Sequence, residues 1–305
     1  MLKRLIEPRG RYSLLVVAVL FLNSLLAQET DIVRLEYTYI PQSQSDNTIN
    51  RFRAFVNYPI KLDDNGSYLV PGVEYRNIDL DIEDPVPFRT RNLERFQMFR
   101  VALGYTFKMN EKWRIGVKGG AEIASNFQTN SVTGRDLSFT GAGYFIKDNT
   151  GEEVQKPSRL ILGLHYSTNA GRPFPLPVIN YYKQFHPNWS YSLGTPKTNL
   201  KYLIGEKHAL QAMITLDGSY ANLQKDLIVP ATSNTADARA INISMTVVLG
   251  GLGYEYFFTD HILYYLYVGY TGYNEIRLRD EDRNNLYTFN EANTYYMRTG
   301  FKLKI

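Results

Sequence analysis

The residues best suited to do chemistry lie in "HYSTNAGR", His165 to Arg172. Two positions apart on an extended strand, His165 and Ser167 share a face. A base beside a hydroxyl is the beginning of an acyl-transfer site, because serine is a weak nucleophile until its proton is taken. The alternate positions are Leu160, Leu162, Leu164 and Tyr166. They make the apolar face and leave His165 and Ser167 on the polar one. Polar lining therefore accounts for the pair, and catalysis asks for more than the pair supplies.

The other candidates are weaker. His186, His208 and His261 fall in predicted turns, without metal-ligand spacing, and no HExxH is present. The acidic runs "DLDIEDP" (Asp79 to Pro85) and "RDEDR" (Arg279 to Arg283) carry the carboxylates that bind Ca²⁺ or bridge lipopolysaccharide. Solvated loops explain them as well. "GGLGYEY" lacks the third glycine of a dinucleotide fingerprint, and there is no P-loop, so no cofactor is expected. Around it the apolar positions change parity, odd from Ile241 to Leu249 and even from Leu252 to Phe258. That change predicts a bulge at Gly250, Gly251 and Gly253.

These residues must be positioned by strands, because period-two alternation recurs along most of the chain. Phe99, Val101, Leu103, Tyr105 and Phe107 alternate with Arg100, Ala102, Gly104, Thr106 and Lys108. Trp113, Ile115 and Val117 alternate with Arg114, Gly116 and Lys118, and Glu122 continues the polar set. The pattern predicts strands at 32–40, 50–60, 67–80, 93–108, 112–126, 137–147, 157–168, 178–185, 189–195, 197–204, 208–221, 239–258, 262–277 and 293–305. That is fourteen, or twelve if 189–204 is one bent strand. Most approach or exceed the ~9–11 residues a tilted strand needs to cross a bilayer. Short turns (63–67, 109–112, 186–188, 205–208, 259–261) alternate with longer polar connections (41–50, 81–92, 127–137, 222–238, 278–291). Barrels of the outer membrane have this asymmetry of periplasmic turns and external loops.

Composition agrees. The 305 residues include 24 Tyr and 16 Phe but 2 Trp and no Cys. "ILYYLYVGYTGY" (Ile262 to Tyr273) has five tyrosines and no charge. Phenols suit surfaces with one apolar and one wet end, such as a membrane interface. Residues 1–27 read as a signal peptide, with Lys3, Arg4, Arg9 and Arg11, an apolar run from Leu14 to Leu22, and a cut after Ala27. Residues 28–305 then form one barrel domain. Without the leader, 30 basic residues face 29 acidic ones, which excludes an electrostatic footprint for nucleic acid.

Over nearly all of 28–305 the chain resembles bacterial outer-membrane β-barrel proteins. "STNAGRPFPLPVINYYKQFHPNWSYSLGTP" is similar to a stretch in a poorly characterised Gram-negative barrel family, through Gly171, Arg172, Pro173, Pro175, Leu176, Pro177 and Trp189. Such barrels usually end in Phe or Trp, whereas this one ends in Ile305. The resemblance implies outer-membrane lipid, lipopolysaccharide and the barrel-insertion machinery as partners. Locally, "HYSTNAGR" also resembles outer-membrane phospholipase. That likeness implies a serine nucleophile at Ser167, His165 as base and Asn180 as orienter, although the family's Asn-Gly-Arg is interrupted here.

The expectation is an all-β transmembrane antiparallel barrel of 12–14 strands, exported to the outer membrane. Arg34, Glu36, Arg53, Arg100, Arg114, Lys118, Glu122, His165, Ser167, Asp217 and Arg298 are assigned to the lumen. Their charges either pair into a plug or line a pore for a small solute. A passive pore or structural surface protein, not an enzyme, is the leading reading. The alternatives are the Ser167/His165 lipid hydrolase and a secreted soluble β-protein that binds glycans.

Overall fold

A computed structural model describes residues 31–129, 131–151, 154–168, 175–231 and 237–304. The leader, Gly171, Arg172, Pro173 and Ile305 lie outside the described residues.

Sixteen strands follow in chain order: β1 (Asp31–Pro41), β2 (Thr48–Asn57), β3 (Ile60–Lys61), β4 (Tyr68–Asp81), β5 (Arg95–Lys108), β6 (Trp113–Ser125), β7 (Leu137–Asn149) and β8 (Ser158–Ser167). Then come β9 (Leu176–His186), β10 (Trp189–Gly194), β11 (Lys197–Ile204), β12 (His208–Val229), β13 (Ala238–Phe257), β14 (Ile262–Arg279), β15 (Asn285–Asn290) and β16 (Tyr295–Lys304). β3 extends a turn beside β4, and β15 forms a short hairpin on β14. The other fourteen make one closed antiparallel barrel, sealed where Leu35 of β1 pairs with Phe301 of β16. Closure gives every wall strand a neighbour on both sides, as hydrocarbon requires of a spanning sheet.

The outward positions are apolar around the whole circumference. Val101, Phe145, Leu164, Ile214, Leu252 and Phe301 are each about half exposed or more. A continuous belt of this size is incompatible with water and suits lipid. The soluble reading needed these faces to pack on one another, and they face outward instead. In "ILYYLYVGYTGY" the two tyrosine sets separate: Tyr265 and Tyr267 are buried, while Tyr270 and Tyr273 are exposed.

Strand β12, 22 residues long, shapes the interior. Its pairing with β11 starts at Ile204–His208 and reaches Lys197–Thr215, and the Leu216 amide donates to the Pro196 carbonyl. Beyond that point β12 meets β6. Asn222 bridges Ser125 in parallel, and the Ser125 hydroxyl donates to the Asn222 carbonyl at 3.1 Å. β6 and β12 are separated in the wall by the five strands β7–β11. Their contact therefore pinches the barrel into two lobes.

One lobe is filled. Ile40, Ile49, Leu80, Phe96 and Met98 from β1–β5 belong to the same apolar cluster as Ala221, Ile243, Met245, Ile276 and Leu278 from β12–β14. A gap of about 30 Å³ remains among them. Leu93 belongs to the same cluster, and Phe88, Tyr287 and Phe289 pack against it, with the Phe88 ring 5.0 Å from Tyr287.

Three expectations are corrected. Residues 222–229 continue β12 and are not loop, because they carry the clasp to β6. Part of 278–291 is the β14–β15 hairpin. No bulge sits at Gly250–Gly253. Odd positions of β13 stay inside throughout, including Met245, Leu249 and Glu255. What changes is the lining, from an apolar interior around Met245 to a polar one around Glu255, so apolar residues move to the outer positions. The irregularity belongs to β14, where pairing passes from Val248–Tyr273 to Leu249–Thr271 and skips Gly272. Gly253 has a packing role: a Cβ there would strike the Tyr267 ring.

Candidate functional site

Inward residues of β1, β2, β12 and β16 meet in a charged layer. The Arg51 and Arg298 guanidiniums both donate to Asp217 Oδ2, at 2.7 and 2.6 Å. Glu36, 3% exposed, lies 3.4 Å from Arg51, 3.7 Å from Arg298 and 3.7 Å from Arg34, and accepts the Tyr265 hydroxyl at 2.8 Å. Because β2 and β12 are not neighbours, the Arg51–Asp217 pair crosses the lumen.

A second group continues around the wall. Glu74 accepts from Arg53 at 2.7 Å, Arg76 at 2.8 Å and Arg100 at 3.1 Å. Arg100 also donates through Nε to Glu122 at 2.7 Å. Arg76 reaches the Gly218 carbonyl at 3.3 Å, tying this group to β12. Arg114 donates to the Gly66 carbonyl at 2.7 Å near the turn end. Such desolvated charges are tolerable only when partnered on several sides.

The third group lies lower. Glu255, 1% exposed, accepts from Lys201 at 2.9 Å, Gln211 at 2.9 Å and the Tyr267 hydroxyl at 2.7 Å. Lys302 lies 4.7 Å over the Tyr265 ring.

The other lobe is open. A cavity of about 610 Å³ is lined by Arg34, Arg159, Lys197, Lys201, Lys302 and Lys304, with Asp31 and Asp260 as the carboxylates. Glu255 and Asp148 flank it through Lys201 and Arg159. Even with both included, cations outnumber carboxylates among the described residues that line or flank the cavity. A second cavity of about 400 Å³, at the upper ends of β10 and β11, shares Ile161, Ser192, Lys197 and Asn199 with the first.

Lys118, Ala142, His165 and Leu176 form one transverse row across β6–β9, and Ser167 pairs with Thr140. Asn180 is not with them. It pairs with Ile161, four positions along β8 from His165. Its amide accepts from Ser192 at 2.9 Å and donates to the Lys197 carbonyl at 3.4 Å. Four residues of strand are about 13 Å, so Asn180 does not orient His165. Among the described residues, no three carboxylates or histidines gather as a metal site. Asp79 instead takes Arg95, and Asp280 takes the Asn284 amide.

Sequence reasoning missed Arg51, Glu74, Arg76, Lys201 and Glu255. Arg51 has the parity of Arg53, and Glu74 that of Arg76, so alternation contained the signal. The joining of Lys201 to Glu255 needs the β11–β13 neighbourhood, which one-strand patterns do not reveal.

Among solved structures, the NanC porin aligns at 10% identity over 90% of this chain and 100% of its own, with a TM-score of 0.39. LpxR from Salmonella typhimurium aligns at 7% identity over 89% and 100%, with a TM-score of 0.38. Outer membrane phospholipase A from Escherichia coli aligns at 11% identity over 90% and 97%, with a TM-score of 0.29. The barrel assignment rests on the strand register and not on these likenesses. No curated protein matches the chain in sequence. A family model described as a domain of unknown function, DUF6268, matches residues 24–304. The chain, over nearly its whole length, belongs to the DUF6268 family.

Proposed function

We propose that the protein is an outer-membrane channel for small anionic solutes, exported by its leader, with passage through the open lobe. The observation that carries this reading is the pair of contiguous cavities lined by a surplus of Lys and Arg. A low-dielectric wall around unequal charge concentrates ions of the opposite sign and selects among them. The charged layer of Glu36, Arg51, Asp217 and Arg298 is structural: its charges satisfy one another and brace β12 against β1, β2 and β16. Lipopolysaccharide and outer-membrane lipid surround the barrel, and the insertion machinery places it there.

Recording purified protein in a planar bilayer across a KCl gradient tests the proposal. A conductance with a chloride-directed reversal potential is expected. Heat-modifiable, correctly folded protein that passes no current would overturn it.

A further inference from the structure

The wall is far from uniform in height. β10 has 6 residues and β11 has 8, between β9 with 11 and β12 with 22. About 9–11 residues of tilted strand are needed to cross hydrocarbon. β9 rises past the β10–β11 connection: the Thr195 amide bonds the Ile179 carbonyl, and Leu176 to Val178 lie beyond it. On the far side β12 continues from Leu216 toward its clasp with β6. A notch is left between β9 and β12, with Thr195 and Pro196 as its floor.

The notch lies at the depth of lipid. On β8, Leu164 stands opposite Pro177, beyond the floor, and Tyr166 lies further along; both are outward and substantially exposed. Ile179 and Leu216, at the floor itself, are also about half exposed. Hydrocarbon that wets Leu164 and Tyr166 therefore reaches the opening. Directly behind it is the smaller cavity, with Thr195 and Pro196 in its rim. Its lining is divided: Tyr144, Ile146, Ile161 and Val178 offer apolar surface, and Lys197 and Asn199 offer a cation and an amide. Lys197 also lines the larger cationic cavity, donates to Gln211 at 3.0 Å, and lies 5.2 Å over the Tyr267 ring.

We infer that the notch is a lateral entrance from the bilayer, and that the cavity behind it takes single-chain anionic amphiphiles. The acyl chain lies against Ile146, Ile161 and Val178, and the anionic head meets Lys197. The apolar wall provides affinity roughly in proportion to the chain buried, and the cation selects the head group. The inference rests on the open lobe being the functional one, and it specifies a ligand class that a purely aqueous pore would not favour.

The chain has no cysteine, so Asn199→Cys takes a single bimane label beside the cavity. Dodecanoate is titrated onto this protein in neutral detergent, with acetate as the head-group control. A saturable fluorescence change with dodecanoate and none with acetate is expected. Affinity should fall at least several-fold in Lys197→Gln and in Val178→Asn, each checked for the heat-modifiable band. An unsaturable response, or one unchanged in both folded variants, would overturn the inference. Chloride conductance in protein that does not bind dodecanoate would overturn it while leaving the channel proposal standing. A saturable response without conductance would overturn the channel alone.

Discussion

The two lobes use the same alternating strands and reach opposite ends. In the filled lobe the inward positions carry branched apolar side chains above and carboxylates shared among guanidiniums below. In the open lobe they carry Ser192, Asn180, Asn199 and lysines around cavities, the larger of which Arg34 of β1 and Lys302 and Lys304 of β16 close from the facing wall. Barrel strand number alone does not decide whether a lumen conducts. Here β12, which outgrows its neighbour β11 and reaches β6, sets which part of the lumen is filled.

The largest effect should come from opening the filled lobe's charge layer. Asp217→Asn leaves Arg51, with a side chain 3% exposed, and Arg298 without the nearer of the two carboxylates they share, Glu36 being the other. Removing one partner of a buried pair costs about 3–5 kcal/mol. A clear fall in the temperature at which the unboiled band converts is expected. Lys197→Gln, in the open lobe, should move it far less; an equal fall in both would erase the distinction between lobes.

Next in size is packing. Met245→Ala should cost about 2–5 kcal/mol, since the cavity cannot collapse between facing walls of the barrel. Val178→Ala lines a cavity instead of packing in the core and should lose only the transfer contribution of its methyl groups, about 1–2 kcal/mol. Guanidinium melts of both variants, read by tryptophan emission, check the ratio.

Selectivity should respond the other way round. Lys197→Glu is expected to cut the chloride-to-potassium permeability ratio several-fold with little change in stability. Arg53→Gln, in the filled lobe, should leave the ratio where it is.

The smallest effect concerns the clasp. Asp136 lies in the external loop between β6 and β7. It accepts from Asn222 and Gln224, both at 2.7 Å, and from the Thr133 amide at 2.6 Å. Burial pushes its carboxyl up, but the Thr133 amide and the Gln224, Asn222 and Ser125 donors outweigh this and hold it below the usual aspartate value. A folded value below the unfolded one means stability present above about pH 4 and lost as pH falls through the folded value. Protection factors of the amides at residues 131–137, corrected for the intrinsic exchange rate, should fall as the pH drops below about 4 in the native protein. In Asp136→Asn protection should already be low at neutral pH.

Much of this barrel was legible because alternation is a one-strand property. Phe99 to Lys108 declares its two faces without any knowledge of neighbours, and the fourteen wall strands follow from repeating that reading. The filled lobe was not legible, because inward does not mean polar everywhere. Odd positions of β13 hold Met245 and Glu255 alike, and only the facing wall explains why. The parity change at Gly250–Gly253 was a true signal given the wrong cause: it marks where the lining turns from apolar to polar. Lumen charges such as Arg100 and Glu122 could be listed from sequence. That Asp217 joins Arg51 and Arg298 across the barrel depends on contacts separated by 166 and 81 residues.

Passage is proposed through the open lobe and the cavity that β8–β11 share with β1 and β16, and cysteine block of single channels is the measurement to make. Asn199→Cys and Ala221→Cys place one thiol in each lobe of a chain that has none of its own. A charged methanethiosulfonate reagent should change the current through Asn199→Cys and leave Ala221→Cys unaffected. Modification that alters current only in Ala221→Cys would put the pathway through the lobe described here as filled, and would contradict the account.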